Sequence, residues 1–299
     1  MKVESRSAGE AHLLDRRALR RSFNRAATTY DAAAVLQREV AERLLGRLEW
    51  LRLQPVDLLE LGCGTGYCTR ALEGRYRKAR IWALDIAEAM LVQTRRGSGW
   101  FSRTRCLCGD AQRLPVADRS IDLIFSNLTL QWCDDLAAAF AEFQRVLRPG
   151  GAVLFSTFGP DTLRELRAAW AAVDGRSHVN RFLDMHDVGD AMLRAGLSDP
   201  VMDVDRLTQH YGTVRELMRD LKAIGAHNVT AGRPQGLTGR QRMRAVEAAY
   251  EAVREPQGLP ASYEVVYGHA WAGDGTGGGC GLPSTGEQTV SLDQLRRSR

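Results

Sequence analysis

The sequence predicts an α/β fold in which a mostly parallel sheet is covered by helices on both faces. Three observations predict it. Short apolar runs alternate with amphipathic helical stretches between residues 56 and 158. A glycine-rich turn, GCGTG over 62–66, stands where the first strand must hand over to a helix. Acidic residues recur near the ends of successive strands, at Glu60, Asp85 and Asp110, and that edge is where ligands bind in such sheets.

Along the chain, residues 1–15 are polar and unpatterned, and a disordered lead is expected there. A short helix is expected around 16–27, and the pattern stays helical from Ser22 to Leu51, where Val40, Leu44, Leu48 and Leu51 line one face of a long helix. Strands follow at VDLLEL (56–61), IWALD (81–85), RCLCGD (105–110), IDLIFSN (121–127) and GAVLFSTF (151–158), the last preceded by a turn at Pro149, Gly150 and Gly151. Between them, helices start from Gly66 and Ala87 and occupy 135–147. Beyond Pro160 the rhythm changes: a helix over 162–173, an irregular stretch over 174–187, helices near 187–195, 213–224 and 239–254, and a closing strand YEVVYGHAW over 263–271. The organisation expected is one domain over 16–272, with a helical cap at 16–52 and an insertion at about 174–260, followed by a disordered Gly-rich tail at 273–299.

Composition sets the class. With 299 residues, 44% hydrophobic and 26% charged, the chain has the apolar material of an ordinary globular enzyme. No run approaches the roughly 18 apolar residues that span a bilayer, and the first residues lack the apolar stretch of a secretory signal, so a cytoplasmic protein is expected. Its six cysteines form no paired CxxC modules, and neither a metal site nor a disulfide framework is expected. A net charge of +5 points mildly to an acidic partner, whether nucleic acid, an anionic metabolite or an acidic carrier protein.

The most informative string is LELGCGTG, from Leu59 to Gly66. Gly62, Gly64 and Gly66 carry no Cβ, so a ligand can lie directly against the turn and meet the exposed N–H groups of a helix start. The spacing is GxGxG with Glu60 two residues ahead, not the GxGxxG of a dinucleotide site. A carboxylate suits an ammonium group rather than a pyrophosphate, which favours S-adenosylmethionine over NAD. Asp85, about 20 residues on, is expected to take both ribose hydroxyls, with Ile86 next to it. Asp110 is expected to take the adenine amino group with Ala111 beside the ring, and Asn127 lies past the fourth strand beside the methyl-transfer centre.

On these residues the chain resembles the class I methyltransferases, which implies a Rossmann-like fold with a seven-stranded sheet. Four further segments carry a narrower resemblance: SFNRAATTYDAAAVLQREVAERLL (22–45), SNLTLQWCDDL (126–136), AWAAVDGRSHVNRF (169–182) and LKAIGAHNV (221–229). They are similar to the malonyl-acyl carrier protein O-methyltransferases of biotin synthesis, and the likeness spans about residues 20–272. It implies methyl esterification of the free carboxylate of malonyl-acyl carrier protein or malonyl-CoA, an N-terminal helical lid over the cofactor, and a helical insertion after strand five. No nucleic acid or membrane partner is implied, and a monomer is expected.

The malonyl carboxylate, with an ordinary pKa of about 4, is ionised at pH 7, so no general base is needed. What it needs is a fixed cation, and the planar fork of arginine fits both oxygens; Arg181 in HVNRF is the candidate clamp. Tyr30 belongs to the lid, Trp132 and Gln131 are expected to wall the pocket, and Phe23, His178 and Arg145 are read as packing or structural residues. The basic string over 239–244 suits either a carrier protein or solvent. Other readings stay open: a methyltransferase for another acceptor such as a quinone ring carbon, an arginine hydroxylase like the complex I assembly proteins, suggested by FGPDTLRELR and LMRDLKAIG, and a non-catalytic cofactor module.

Overall fold

The computed structural model describes residues 14–99, 102–174, 178–226, 228 and 239–273. The strands are β1 (Asp57–Leu61), β2 (Arg80–Asp85), β3 (Arg105–Cys108), β4 (Ile121–Asn127), β5 (Leu147–Phe158), β6 (Leu197–Tyr211) and β7 (Leu259–Ala272). They form one seven-stranded sheet in the order β3-β2-β1-β4-β5-β7-β6. The first five pair in parallel, with Leu58 opposite both Ile81 and Leu123, while β7 runs antiparallel between β5 and β6. The chain builds outward from β1 to β3 and then returns to the other side of β1 at β4. That reversal opens a crevice at the carboxyl ends of β1 and β4.

The helices are α1 (Arg16–Ala26), α2 (Tyr30–Ala33), α3 (Val35–Leu51), α4 (Tyr67–Arg75), α5 (Glu88–Gly97), α6 (Leu136–Val146), α7 (Arg164–Ala171), α8 (Met185–Arg194), α9 (Val214–Ala223) and α10 (Arg240–Glu251). All five residues of β1, Asp-Leu-Leu-Glu-Leu, are buried, as a strand covered on both faces must be. Because successive strand residues point to opposite faces, Leu58 joins a core layer with Leu44 of α3 and Leu72 of α4, while Leu59 joins a second layer with Phe140 and Phe143 of α6. The stripe expected on α3 is buried as Val40, Leu44, Leu48 and Leu51, extended by Leu36 and Ala41. Among the described residues, no helix is long and apolar enough to cross a membrane.

Several elements differ from the sequence expectation. The stretch 16–51 is three helices, because the chain turns at Ala27, Thr28 and Thr29 and again at Ala34. Of the lead expected to be disordered, Leu14 and Asp15 are held: the Leu14 N–H donates to Asp134 at 2.5 Å and the Asp15 side chain caps α1 by accepting from Ala18 N at 2.9 Å. Pro149, Gly150 and Gly151 lie within β5, where the register jumps from Ile121↔Leu147 to Leu123↔Ala152. The largest difference is β6, fifteen residues inside a stretch expected to be helical and irregular. Its side chains are exposed or only half-buried beyond Leu197, as befits an edge strand rich in charge, so its apolar alternation is faint. Residues 1–13 and the Gly-rich tail from 274 onward lie outside the described residues.

Candidate active site

A cavity of about 780 Å³ opens over the crevice, within the size range of small-molecule sites. Gly62, Gly64, Asp85, Ile86, Asp110, Ala111 and Asn127 line it, as do Tyr30 and Trp132. The structure thus brings together nine of the twelve residues singled out from the sequence. Glu60, Gly66 and Arg181 are not on its wall.

The glycines divide by function. Gly64 has φ +55° and nothing within 4 Å of where a Cβ would stand, so its bare backbone faces open space for a ligand. Gly62, at φ +67°, is needed for packing, since a Cβ there would fall 2.0 Å from Thr129 Oγ1. Gly66, at φ +85°, is the N-cap of α4 and faces Thr94 and Arg70. Its part is to turn the chain.

The acids also divide. Asp85 is 7% exposed on the cavity wall; its two oxygens accept from Ala87 N at 2.8 Å and Gly64 N at 3.0 Å, and burial still raises its pKa to about 6. Each oxygen retains a lone pair for a ligand hydroxyl. Glu60 is 3% exposed and lies off the wall: its position in β1 puts its carboxylate against α4, where Thr69 Oγ1 donates at 2.6 Å. Burial raises its pKa to about 8. Direct contact between Glu60 and a ligand is therefore not what the geometry provides. Asp110 accepts from Gln112 N at 2.9 Å and also pairs with Arg16 of α1.

Asn127 is fixed by Ser156 Oγ, which donates to its Oδ1 at 2.8 Å, and by its own Nδ2, which donates to Gln37 O at 3.1 Å. Gln37 lines the cavity too, and its Oε1 is buried with no hydrogen-bond partner among the described residues. A buried acceptor of this kind calls for a donor. The helical cap forms the roof: Phe23 meets Trp132 edge to face at 5.4 Å, Tyr30 packs against the cluster of Ala26, Ala27, Ala87 and Met90, and Asp31 accepts from Thr65 Oγ1 at 2.5 Å. Burial, with Asp85 nearby, pushes the Tyr30 phenol far above its usual range.

Beyond the cofactor-sized end, the cavity runs on between β5, β7, α7 and α9. Its wall there is aromatic, with Phe158 5.5 Å from Phe182 and 5.9 Å from Tyr263. Trp170 stacks on His178 at 3.7 Å, and His178 Nε2 meets Asp174 Oδ1 at 2.8 Å. Arg181 is exposed, although its neighbours Asn180 and Phe182 line the cavity; the cations on the wall are Arg25 and Lys222. Neither they nor Gln37 and Asn180 stood out in the sequence, because a lone polar residue in a helix or connection carries no spacing signal.

Residues 59–155 match the family described as Methyltransferase domain. Among solved structures, the YcgJ protein of Bacillus subtilis superimposes with a TM-score of 0.56 at 16% identity, covering 78% of this chain and 100% of that one. An S-adenosylmethionine-dependent methyltransferase of Thermotoga maritima does so with a TM-score of 0.52 at 20% identity, covering 84% and 99%. Both show the fold. The malonyl-acyl carrier protein O-methyltransferase of Halorhodospira halophila is 54% identical over 97% of this chain and 99% of its own length. That of Methylovorus is 52% identical over 88% and 90%, and one from Coxiella burnetii 43% over 95% and 97%. At such identity over nearly the full length, the chain belongs to the malonyl-acyl carrier protein O-methyltransferase family.

Proposed function

We propose that this chain is an S-adenosylmethionine-dependent O-methyltransferase that converts the free carboxylate of malonyl-acyl carrier protein to its methyl ester, with malonyl-CoA as a second acceptor, at the start of pimeloyl synthesis for biotin. The observation that carries the reading is the two-part cavity, in which a glycine- and acid-lined end continues into an aromatic end. It is supported by 54% identity to a relative of that name. We take the enzyme to be a cytoplasmic monomer.

The residues fit the cofactor. The open backbone at Gly64 accommodates a ligand that a Cβ would obstruct. Asp85 holds the ribose hydroxyls, Asp110 the adenine amino group with Ala111 and Ile86 against the ring, and Asn127 the methionine end. Glu60 acts from beneath the turn: a positive charge above it favours its ionised form. When bound, S-adenosylmethionine would supply a methyl group on a cationic sulfur to the carboxylate oxygen, the sulfur keeping the electron pair of the sulfur–carbon bond.

No side chain has to move a proton, since the acceptor is already ionised at pH 7. The protein's work is alignment and exclusion of water. Tyr30, Phe23 and Trp132 close the roof over the reacting end. Lys222 and Arg25 on the wall and Arg181 at its edge draw the malonyl anion in, with Arg181 as the clamp. A labelled methyl-transfer assay run in parallel on malonyl-carrier, malonyl-CoA and free malonate tests the reading, which expects both thioesters to be methylated and free malonate to be poor. Turnover of a quinone instead, or hydroxylation of a protein arginine without methyl transfer, would replace it.

A further inference from the structure

Helix α1, RRALRRSFNRA, carries five arginines and no acid. They divide between two flanks. Arg16 and Arg20 pair with Asp110, Asp134 and Glu88. Arg17, Arg21 and Arg25 recur every fourth residue and so share the other flank. All three are exposed, and none has an ion pair among the described residues. The acids next to α1 in the chain are occupied, Asp15 by capping Ala18 N and Asp31 by accepting from Thr65 Oγ1.

The cap is latched to the end of α9, since Ser22 Oγ donates to Gly225 O and Thr29 Oγ1 to Ala223 O, both at 3.0 Å. On α9, Arg219 and Lys222 are three residues apart on one face, exposed, and likewise without an ion pair among the described residues. Arg25 and Lys222 both reach the cavity wall, so the basic flanks of the two helices meet at its mouth. A basic surface around the mouth of a cavity for an anionic acyl group fits an acidic partner that delivers that group. An acyl carrier protein is acidic and holds its thioester at the end of an arm, so its body stays outside while the malonyl end enters. We infer that Arg17 and Arg21 of α1, with Arg219 of α9, form the docking face for the acidic surface of the carrier protein. The inference rests on the malonyl thioester reading given above. The basic string over 239–244 fits less well: Arg242 leans toward Asp174 at 3.8 Å, and none of its residues lines the cavity.

Charges placed in this way steer association, and they act on KM and its salt dependence rather than on kcat. The test compares malonyl-carrier with malonyl-pantetheine, which has the arm but neither protein nor nucleotide. Arg17→Glu/Arg21→Glu should raise the KM for malonyl-carrier about tenfold, with kcat within about twofold. On malonyl-pantetheine, and in affinity for S-adenosylmethionine, the same variant should match the wild type, which also shows that it folds. Arg17→Gln/Arg21→Gln should give an intermediate loss, and Arg219→Glu a loss in the same direction. Raising salt from about 0.05 to about 0.5 M should raise the wild-type KM for malonyl-carrier and leave that of the Glu variant nearly unchanged. Arg240→Glu/Arg244→Glu should be silent. An unchanged carrier KM in Arg17→Glu/Arg21→Glu, an equal loss on malonyl-pantetheine, or a larger loss in Arg240→Glu/Arg244→Glu overturns the assignment alone. So does an equal loss on malonyl-CoA while malonyl-pantetheine holds, which would mean that the face reads phosphate. A wild-type chain that methylates no malonyl thioester overturns the substrate reading, and this assignment with it.

Discussion

Asp85 Oδ2 accepts a hydrogen bond from Gly64 N at 3.0 Å, which ties the end of β2 to the glycine turn after β1. One carboxylate thus both shapes the turn and faces the cavity. Replacing it removes two functions at once. Asp85→Ala should weaken S-adenosylmethionine binding by about 100-fold, the sum of two charge-assisted hydrogen bonds of about 1.5 kcal/mol each; wild-type affinity by titration calorimetry would count against the ribose role.

The same carboxyl gives a pH signature. Burial raises Asp85 to about 6 and Glu60 to about 8, above ordinary unfolded values of about 3.9 and 4.3. A folded pKa raised in this way stabilises fully below the unfolded value and loses that stability as pH rises through the folded one. The ligand-free protein should therefore melt at progressively lower temperature from about pH 5 to pH 8, and Asp85→Asn should flatten the lower half of that slope. Cofactor affinity should run the opposite way, rising as Asp85 ionises. A melting temperature independent of pH over this window would be inconsistent with carboxyls whose burial outweighs their hydrogen bonds.

Two glycines of the turn should separate by phenotype. Gly62→Ala drives a Cβ into Thr129 Oγ1 and should cost upwards of about 2 kcal/mol of stability. Gly64→Ala meets no protein atom, so it should cost only about 1–2 kcal/mol for its positive φ yet reduce cofactor affinity at least tenfold. Denaturant melts and calorimetry on the two variants check this, and the reverse pattern would mean that the cofactor does not lie against Gly64.

Arg16 joins α1 to Asp110, Asp134 and Gln112. The pairs are part-exposed, so Arg16→Ala should change stability by less than about 1 kcal/mol. Its effect should instead appear as several-fold faster cofactor release, measured by stopped-flow fluorescence of the roof tryptophan Trp132. An unchanged release rate would show that α1 does not gate the cofactor.

For the anion clamp, Arg181→Ala should cut kcat/KM on malonyl thioester by a factor of ten or more while cofactor affinity stays within about twofold. Lys222→Ala and Arg25→Ala serve as comparisons. If Lys222→Ala is severe and Arg181→Ala silent, the clamp is the wall lysine.

The parallel part of the fold was readable because strands buried on both faces are largely apolar, as in Asp57–Leu61 and Ile121–Asn127, and because the turn at 62–66 takes positive φ at Gly62, Gly64 and Gly66. The edge strand Leu197–Tyr211 was not, since half its side chains meet water and charge breaks the alternation. For the site, position along the chain located the acids but not their direction. Glu60 and Asp85 each sit near the end of a neighbouring strand, yet one points at Thr69 and the other at the cavity. Burial and partners, not spacing, separate those roles. The acceptor end depends on residues from β5, β7, α7, α9 and the segment around 180, which no local pattern links.

The most direct test is where the methyl group lands. With S-adenosylmethionine labelled on its methyl carbon and malonyl-acyl carrier protein as acceptor, mass spectrometry should find one labelled methyl per carrier, on the malonyl carboxyl and released as methanol by mild base. A base-stable label on carbon or nitrogen, or a carrier that gains none while the wild-type chain is saturated with cofactor, would contradict the account.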